Sequence, residues 1–529
     1  MLKKVVSCLL ILCVMLLSFT GCFGKKKTGE AFSMPIMEEP TSLDPQIADS
    51  NSEKLVAANS FEGLVRINEN GEITKGVAES WSVSQDGLIY TFNLRKDAHW
   101  AMFSGHKTVL GEDYAETFNS NVVAGDFKFA VERTKNPQTG SKDAGLFTSV
   151  KSIEVKNDYT IIFYLGSADE NFLFALTSPG AMPCNEEFFN ATKGKYGLDA
   201  KYLLCNGPMH VSKWNAGASV KMVGNNEYNG EQVPSPSSLT LYVNNDYSEV
   251  AGKMASLTYD AAFLSNSQFS EIEDASDLSV TEIPNVTYSF IFNQNNKNTE
   301  NLNFRLAFCK AVNTSSIIGA SESIIPAKGI VPAFCKIGNE NYNIDGESSG
   351  MIAFNESAAK ESFQSALLDL GATSVEIEVI CSKQYETVIK QIVQGLQKTL
   401  GVKFVASVTA MTDGELSAAV NDGSYDVAFY PFKADTAFAN EFLEGFTKNN
   451  ILGFSSADFL KLIDEIHKNS GSYQGERNAC RNAEEYLIKN AVILPVFYEN
   501  SYFVTSKKTS GIYFYSSADN VCFINARKK

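Results

Sequence analysis

The sequence predicts an α/β protein whose first half is rich in strands and whose second half alternates strands with helices. Tyr90, Phe92 and Leu94 alternate with Thr91 and Asn93, the period of a half-buried strand. Ile153 and Val155 likewise face Ile161, Phe163 and Leu165 across an Asn157-Asp158 turn. In the second half Val286, Tyr288, Phe290 and Phe292 alternate as a strand, and Phe304, Ala307, Phe308, Ala311 and Val312 then recur at the spacing of one helix face. Strands at Val375–Ile380, Val402–Val408 and Val427–Tyr430 are separated by helices at Tyr385–Leu400 and Asp413–Val420. Such alternation builds a mostly parallel sheet with helices on its faces. Ligands of these sheets bind beyond the carboxyl ends of the strands, which directs attention to the loop Pro431–Asn440.

At 529 residues and about 150 residues per domain, the chain has room for about three or four domains. Hydrophobic residues at 44% and charged residues at 20% are ordinary globular values, which excludes wholesale disorder and a polytopic membrane protein. The net charge of -16 argues against a general nucleic-acid binder, which needs a basic face. Only His99, His106, His210 and His467 are present, none close enough in sequence to another to form a metal-binding pair of the HExxH kind, so no metal site and no cofactor are expected. No internal repeat or low-complexity tract appears.

The N-terminus has the layout of a secretory signal peptide: Lys3 and Lys4, an apolar run Val5–Leu17, then Ser18-Phe19-Thr20-Gly21-Cys22. A helix of that run reaches about 20 Å, short of the ~30 Å hydrocarbon core, so it does not read as a span. Small residues just before a Cys resemble a bacterial lipobox, with residues 1–21 cleaved, Cys22 lipidated and 22–32 left as a linker. Cleavage removes Lys3 and Lys4 and takes the net charge from -16 to -18. The cysteines that remain, Cys184, Cys205, Cys309, Cys335, Cys381, Cys480 and Cys522, are odd in number and widely spaced. They read as buried free thiols, with Cys184 and Cys205 the nearest pair for a bridge.

Enzyme motifs are absent or out of context. Gly346-Glu347-Ser348-Ser349-Gly350 has the letters of a nucleophile elbow, but polar residues precede it where an elbow needs an apolar strand. No phosphate-cradling glycine loop occurs, and acidic pairs such as Glu38-Glu39 and Glu484-Glu485 read as solvated faces.

Several segments, in order, carry a resemblance. They are Glu39-Pro40-Thr41-Ser42-Leu43-Asp44-Pro45, Phe61-Glu62-Gly63-Leu64-Val65, the run Gly76–Gly87 that contains Trp81, and Tyr90–Trp100. Gly125-Asp126-Phe127, Asn206-Gly207-Pro208 and Phe304-Arg305-Leu306-Ala307-Phe308 follow. Together they resemble the solute-binding proteins of peptide ABC transporters, the family of oligopeptide-, dipeptide- and nickel-binding proteins. The stretch Ala101–Val123 is longer than its counterpart in the family and reads as an enlarged surface loop. In plain structural terms Trp81, Trp100, Tyr90 and Phe92 are core, and Glu62-Gly63 and Gly207-Pro208 are turns where strands pass between lobes. Arg305 is expected to pair with an acidic neighbour.

The resemblance implies a two-lobed periplasmic-binding-protein-like fold (type II, cluster C) with an extra subdomain. Residues 33–64, 204–285 and 495–529 would form the first lobe, 65–203 the additional subdomain and 286–494 the second lobe. It implies a monomer that closes on a peptide and delivers it to membrane permease and ATPase subunits, itself catalysing nothing. The lipid anchor would hold it at the extracytoplasmic face of the cell membrane, the outer surface in a Gram-positive bacterium and the periplasm otherwise. The segment Tyr425–Asp435 is similar to the family segment that ends in a ligand-facing Asp, which maps to Asp435, with Phe432 as the pocket aromatic. The alternative for Asp435 is a helix N-cap. Rival readings are another solute on the same scaffold (a nickel chelate, haem or a sugar), a secreted hydrolase, or an adhesion lipoprotein.

Overall fold

The computed structural model describes residues 29–529 apart from 70, 112–115, 170, 231–235, 245–248, 314–324, 339, 344–349, 435–437, 448–449, 470–471 and 515–520. The leader with Cys22, most of the Gly346–Gly350 motif and Asp435 lie outside the described residues.

Two four-stranded sheets share the first core. In one, Ala31–Ile36 runs parallel to Ser238–Val243, which continues antiparallel through Ser219–Gly224 to Met209–Asn215. In the other, Ala78–Val83, Ile89–Leu94, Thr160–Leu165 and Val150–Asn157 are antiparallel neighbours. The register pairs Phe92 with Ile161, Tyr90 with Phe163 and Ile153 with Phe163, as the alternation predicts. Phe92, Ile161 and Phe163 are fully buried against Phe127 and Val131 of the helix Ala124–Lys135. Trp100 and Tyr90 are core, and Trp81 is half-buried on Phe92, with ring centroids 6.4 Å apart.

The family motifs in this half are joints of the scaffold. Glu53 closes a capping box with Ser50, and its carboxylate accepts the N–H groups of Thr41, Ser42, Asp49 and Ser50. Asp44 caps the turn Pro45–Ile47 and takes Arg133 Nη2 at 2.6 Å. Gly87, at φ 71°, completes the hairpin turn in which Leu88 N–H reaches Asp86. A Cβ on Gly207 would lie 2.5 Å from the Ser60 carbonyl carbon, so only glycine fits there. Glu62-Gly63 and Gly207-Pro208 do not cross between lobes. Asn206 straps the two turns together inside the first core, accepting from Glu62 N at 3.0 Å and donating to Glu62 O at 2.8 Å. The Ala101–Val123 stretch is more than a surface loop: its helix Ser104–Leu110 buries His106 on the Leu203 carbonyl, at 3.0 Å.

The second half is built on a seven-stranded sheet ordered Ala261–Leu264, Ile493–Ser506, Leu278–Phe292, Val427–Lys433, Val375–Ser382 and Phe404–Met411, with Ile325–Pro326 beside Ile493–Ser506. Only the pairs that Val375–Ser382 makes with its two neighbours are parallel; the others are antiparallel. The mostly parallel sheet expected from the alternation is therefore a mixed one, because Ala261–Leu264, Leu278–Phe292 and Ile493–Ser506, which flank the alternation in the chain, join it antiparallel. Both faces are covered, with successive residues going to opposite sides. Phe290, Phe292, Val379, Cys381, Val427 and Phe429 pack under the helices Leu302–Ala311, Glu356–Leu370 and Glu386–Leu400. Ile291, Ile380 and Ala428 pack under Asp413–Asn421, Ala439–Glu444, Ala457–Lys468 and Tyr473–Lys489.

Leu278–Phe292 and Ile493–Ser506 join the halves. They pair from Leu278–Ser506 to Ile291–Ile493, with register shifts between Ile283 and Val286 and between Tyr288 and Ser289. Ile283 and Phe503 pack in the first core, whereas Phe290 and Phe497 pack in the second. The link is thus sheet with bulges, which bend a strand and disrupt its ladder only locally. Among the described residues Arg305 takes no carboxylate partner in its hydrogen bonds. It donates to the carbonyls of Ala491, Thr299, Glu300 and Asn490, holding the end of the Tyr473–Lys489 helix to its own. All seven described cysteines are buried free thiols, so Cys184 and Cys205 are not bridged.

A candidate ligand cleft between the two lobes

A cleft of about 850 Å³ lies between the two cores. Its first wall comes from the start of the helix Asn51–Ser60, the turns Lys142–Phe147 and Pro179–Ala181, and the short helix Phe172–Ala175. Glu53 and Asp44 organise the loop that leads into this wall, which puts Asp49 and Lys54 at its edge. The second wall comes from the end of Val427–Lys433, the helix Ala439–Glu444 and the end of Ala457–Lys468.

Phe432 lines the cleft, half-buried, with its ring 5.4 Å from Phe446 and 5.8 Å from Tyr430. It sits on the strand and not in a loop, because pairing with Leu278–Phe292 continues through Phe432–Thr287 to Lys433–Val286. Asp435 lies outside the described residues; Lys433 and Phe438 on either side of it both line the cleft. The helix that follows begins at Ala439 with Phe438 in its N-cap position, three residues beyond Asp435. Phe174 and Phe438 meet across the cleft edge to face, centroids 5.8 Å apart at 71°.

The charged groups divide by their surroundings. Asp49 pairs with Lys142 at 3.7 Å in the open. Burial pushes the Asp143 carboxyl above its usual range, opposed by the Gly180 N–H that it accepts at 2.8 Å and by Lys54. Asp169 is likewise raised by burial, against the pull of Ser149, the Asn171 N–H and His467. Glu444 is raised by burial and opposed by His467, whose Nε2 stands 3.6 Å from it. These residues were not legible in the sequence. Asp169 and His467 are almost three hundred positions apart, and no spacing rule links them. Among the described residues no group of three or more His, Cys, Asp or Glu is placed to hold a metal ion, and no helix is long and apolar enough to cross a membrane.

Two lobes joined by a bulged two-stranded hinge around one inter-lobe cleft define an extracytoplasmic solute-binding protein. The chain belongs to the bacterial extracellular solute-binding proteins, family 5, whose pattern matches residues 72–453. It is 25% identical over 500 residues to the dipeptide-binding protein DppE of Bacillus subtilis, covering 90% of this chain and 88% of that one. It is 23% identical over 538 residues to the oligopeptide-binding protein OppA of the same organism, covering 95% of each. Among solved structures, the substrate-binding domain of an oligopeptide ABC transporter from Bacillus anthracis superimposes with a TM-score of 0.75 at 19% identity, over 94% of this chain and 98% of that one. OppA of Listeria monocytogenes bound to peptide gives 0.75 at 19%, over 95% and 99%. NikZ of Campylobacter jejuni with a nickel–histidine complex gives 0.74 at 18%, over 92% and 97%. These likenesses establish the two-lobed fold.

Proposed function

We propose that the protein captures peptides in the inter-lobe cleft and delivers them to an ABC importer, without catalysing a reaction on them. The observation that carries this reading is the cleft itself, closed by aromatic side chains from both lobes, in a chain whose full-length relatives are named for dipeptides and oligopeptides. An aromatic wall suits the apolar parts of a peptide, and water in a roomy cleft lets side chains vary. The protein acts as a monomer held at the outer face of the membrane by lipid on Cys22.

In this reading Asp435 takes the peptide's α-amino group and Phe432 lines the adjoining wall. A cationic amine stripped of water between closed lobes requires an anionic partner. Removing one partner of a buried charge pair costs ~2 to 5 kcal/mol, roughly 30-fold to several thousand-fold in affinity. Calorimetry on free and N-acetylated peptide with the parent and Asp435→Asn tests this. Acetylation should weaken binding to the parent strongly and to the variant little. Losses that simply add would show that Asp435 does not read the amine. A peptide that is cleaved during the titration would replace the binding reading with the hydrolase one.

A further inference from the structure

One stretch of the second wall carries rings that its own core does not bury. The helix Ala439–Glu444 puts Ala439 and Leu443 into the second core. Phe438 and Phe442 are one turn apart, the Phe442 N–H bonding the Phe438 carbonyl at 3.2 Å. Successive residues of a helix lie about 100° apart, so this pair stands to one side of the buried one. Both rings line the cleft and are half-buried. Phe446, only 4% exposed, is the common neighbour of Phe442 and Phe432, at centroid distances of 5.7 and 5.4 Å. Two elements, the helix segment and the strand Val427–Lys433, thus converge on one aromatic trough with a buried floor and half-covered rims.

The other lobe completes the arrangement. Phe174 meets Phe438 edge to face at 5.8 Å and 71°, so closure brings a further ring to the end of the trough. Half-covered apolar rings gathered inside a ligand cleft gain free energy when a guest takes the place of water on them. Rings also attract one another edge to face or offset, at centroid separations of about 4.5 to 7 Å. The contacts within the trough already stand at such separations, which suits a flat aromatic guest better than an aliphatic one of equal bulk.

We propose that Phe432, Phe438, Phe442 and Phe446 form a subsite for an aromatic side chain of the bound peptide. This rests on the peptide-capture reading and adds a preference for an aromatic residue at one ligand position. The test is calorimetry on an alanine pentapeptide and on versions that carry one phenylalanine or one cyclohexylalanine at each position in turn. Each is titrated into the parent, Phe442→Ala and Phe442→Leu, with thermal melts to confirm folding. The readout is the affinity of a substituted peptide relative to the all-alanine one, a ratio that cancels any general loss of binding. At one position phenylalanine should be favoured over alanine by roughly 10- to 150-fold in the parent, the worth of burying one large apolar side chain. Cyclohexylalanine, as bulky but without a π face, should fall short of phenylalanine there by about twofold or more. Phe442→Ala should shrink both advantages, whereas Phe442→Leu should keep most of the first and narrow the second. Equal affinities at every position in the parent overturn the subsite while leaving peptide capture intact. A phenylalanine preference that is undiminished in Phe442→Ala places the ring elsewhere and also overturns it. Cyclohexylalanine binding as tightly as phenylalanine overturns the aromatic assignment. If no peptide of the set binds the parent, the capture reading falls too.

Discussion

Removing the Phe174–Phe438 contact should weaken ligand binding by loosening the closed state. Phe174 stands among first-core residues, Phe172, Ala175 and Leu176, and Phe438 is followed by Ala439 of the second core, so the contact forms only when the lobes approach. At 5.8 Å and 71° the pair has the edge-to-face geometry that contributes ~0.5 to 1.5 kcal/mol beyond the area that it buries. Apparent affinity scales with the population of the competent closed state, so losing that amount raises Kd by about 2- to 13-fold. Calorimetry with a binding peptide on Phe174→Ala, Phe438→Ala and the double variant gives the coupling directly. Small-angle scattering with and without peptide reports the accompanying contraction. The double variant should lose less than the two single losses combined, by the energy of the pair. Additivity to within about 0.3 to 0.5 kcal/mol would refute the inter-lobe contact as a determinant of closure.

Two further outcomes follow from the structure and the sequence. Burial pushes the Asp126 carboxyl up to about 7 although it accepts the Val123 N–H at 2.8 Å, so in the fold it holds its proton where the unfolded chain has lost it. Stability from this group is therefore greatest below about pH 4 and declines as pH rises to about 7, by at most about 1.4 kcal/mol per pH unit. His106, which burial holds down to about 4, works the other way, losing stability as pH falls from about 6.5 to about 4. The Tm advantage of Asp126→Asn over the parent should grow across pH 4 to 7, and parallel Tm curves would contradict the assignment. For the anchor, Cys22→Ala should move the protein from the membrane fraction to the soluble one; retention with the membrane would show that Cys22 carries no lipid.

The sequence by itself determined the local elements and the class. Helix faces such as Phe304, Ala307, Phe308 and Ala311, and the alternation at Tyr90, Phe92 and Leu94, report burial on one side because side-chain direction follows the backbone period. The motifs that carry the family resemblance were legible for a related reason: Asp44, Glu62, Gly87 and Gly207 make the turns and caps that any chain of this scaffold needs.

Tertiary structure alone decided how the strands pair and which groups meet. Period-two patterning is the same for parallel and antiparallel neighbours, so Val427–Lys433 reads correctly as a strand while its antiparallel partner Leu278–Phe292 and its parallel partner Val375–Ser382 do not show in it. Phe432 fell in the expected region but on the strand, because Thr287 and Val286, well over a hundred residues away, extend the ladder to Lys433. Arg305 found carbonyls in place of an acid because the end of the Tyr473–Lys489 helix arrives there only once the second core is packed. The cleft is the extreme case. Its walls join residues 49–179 to residues 421–467, so it exists only where two separately built lobes come together.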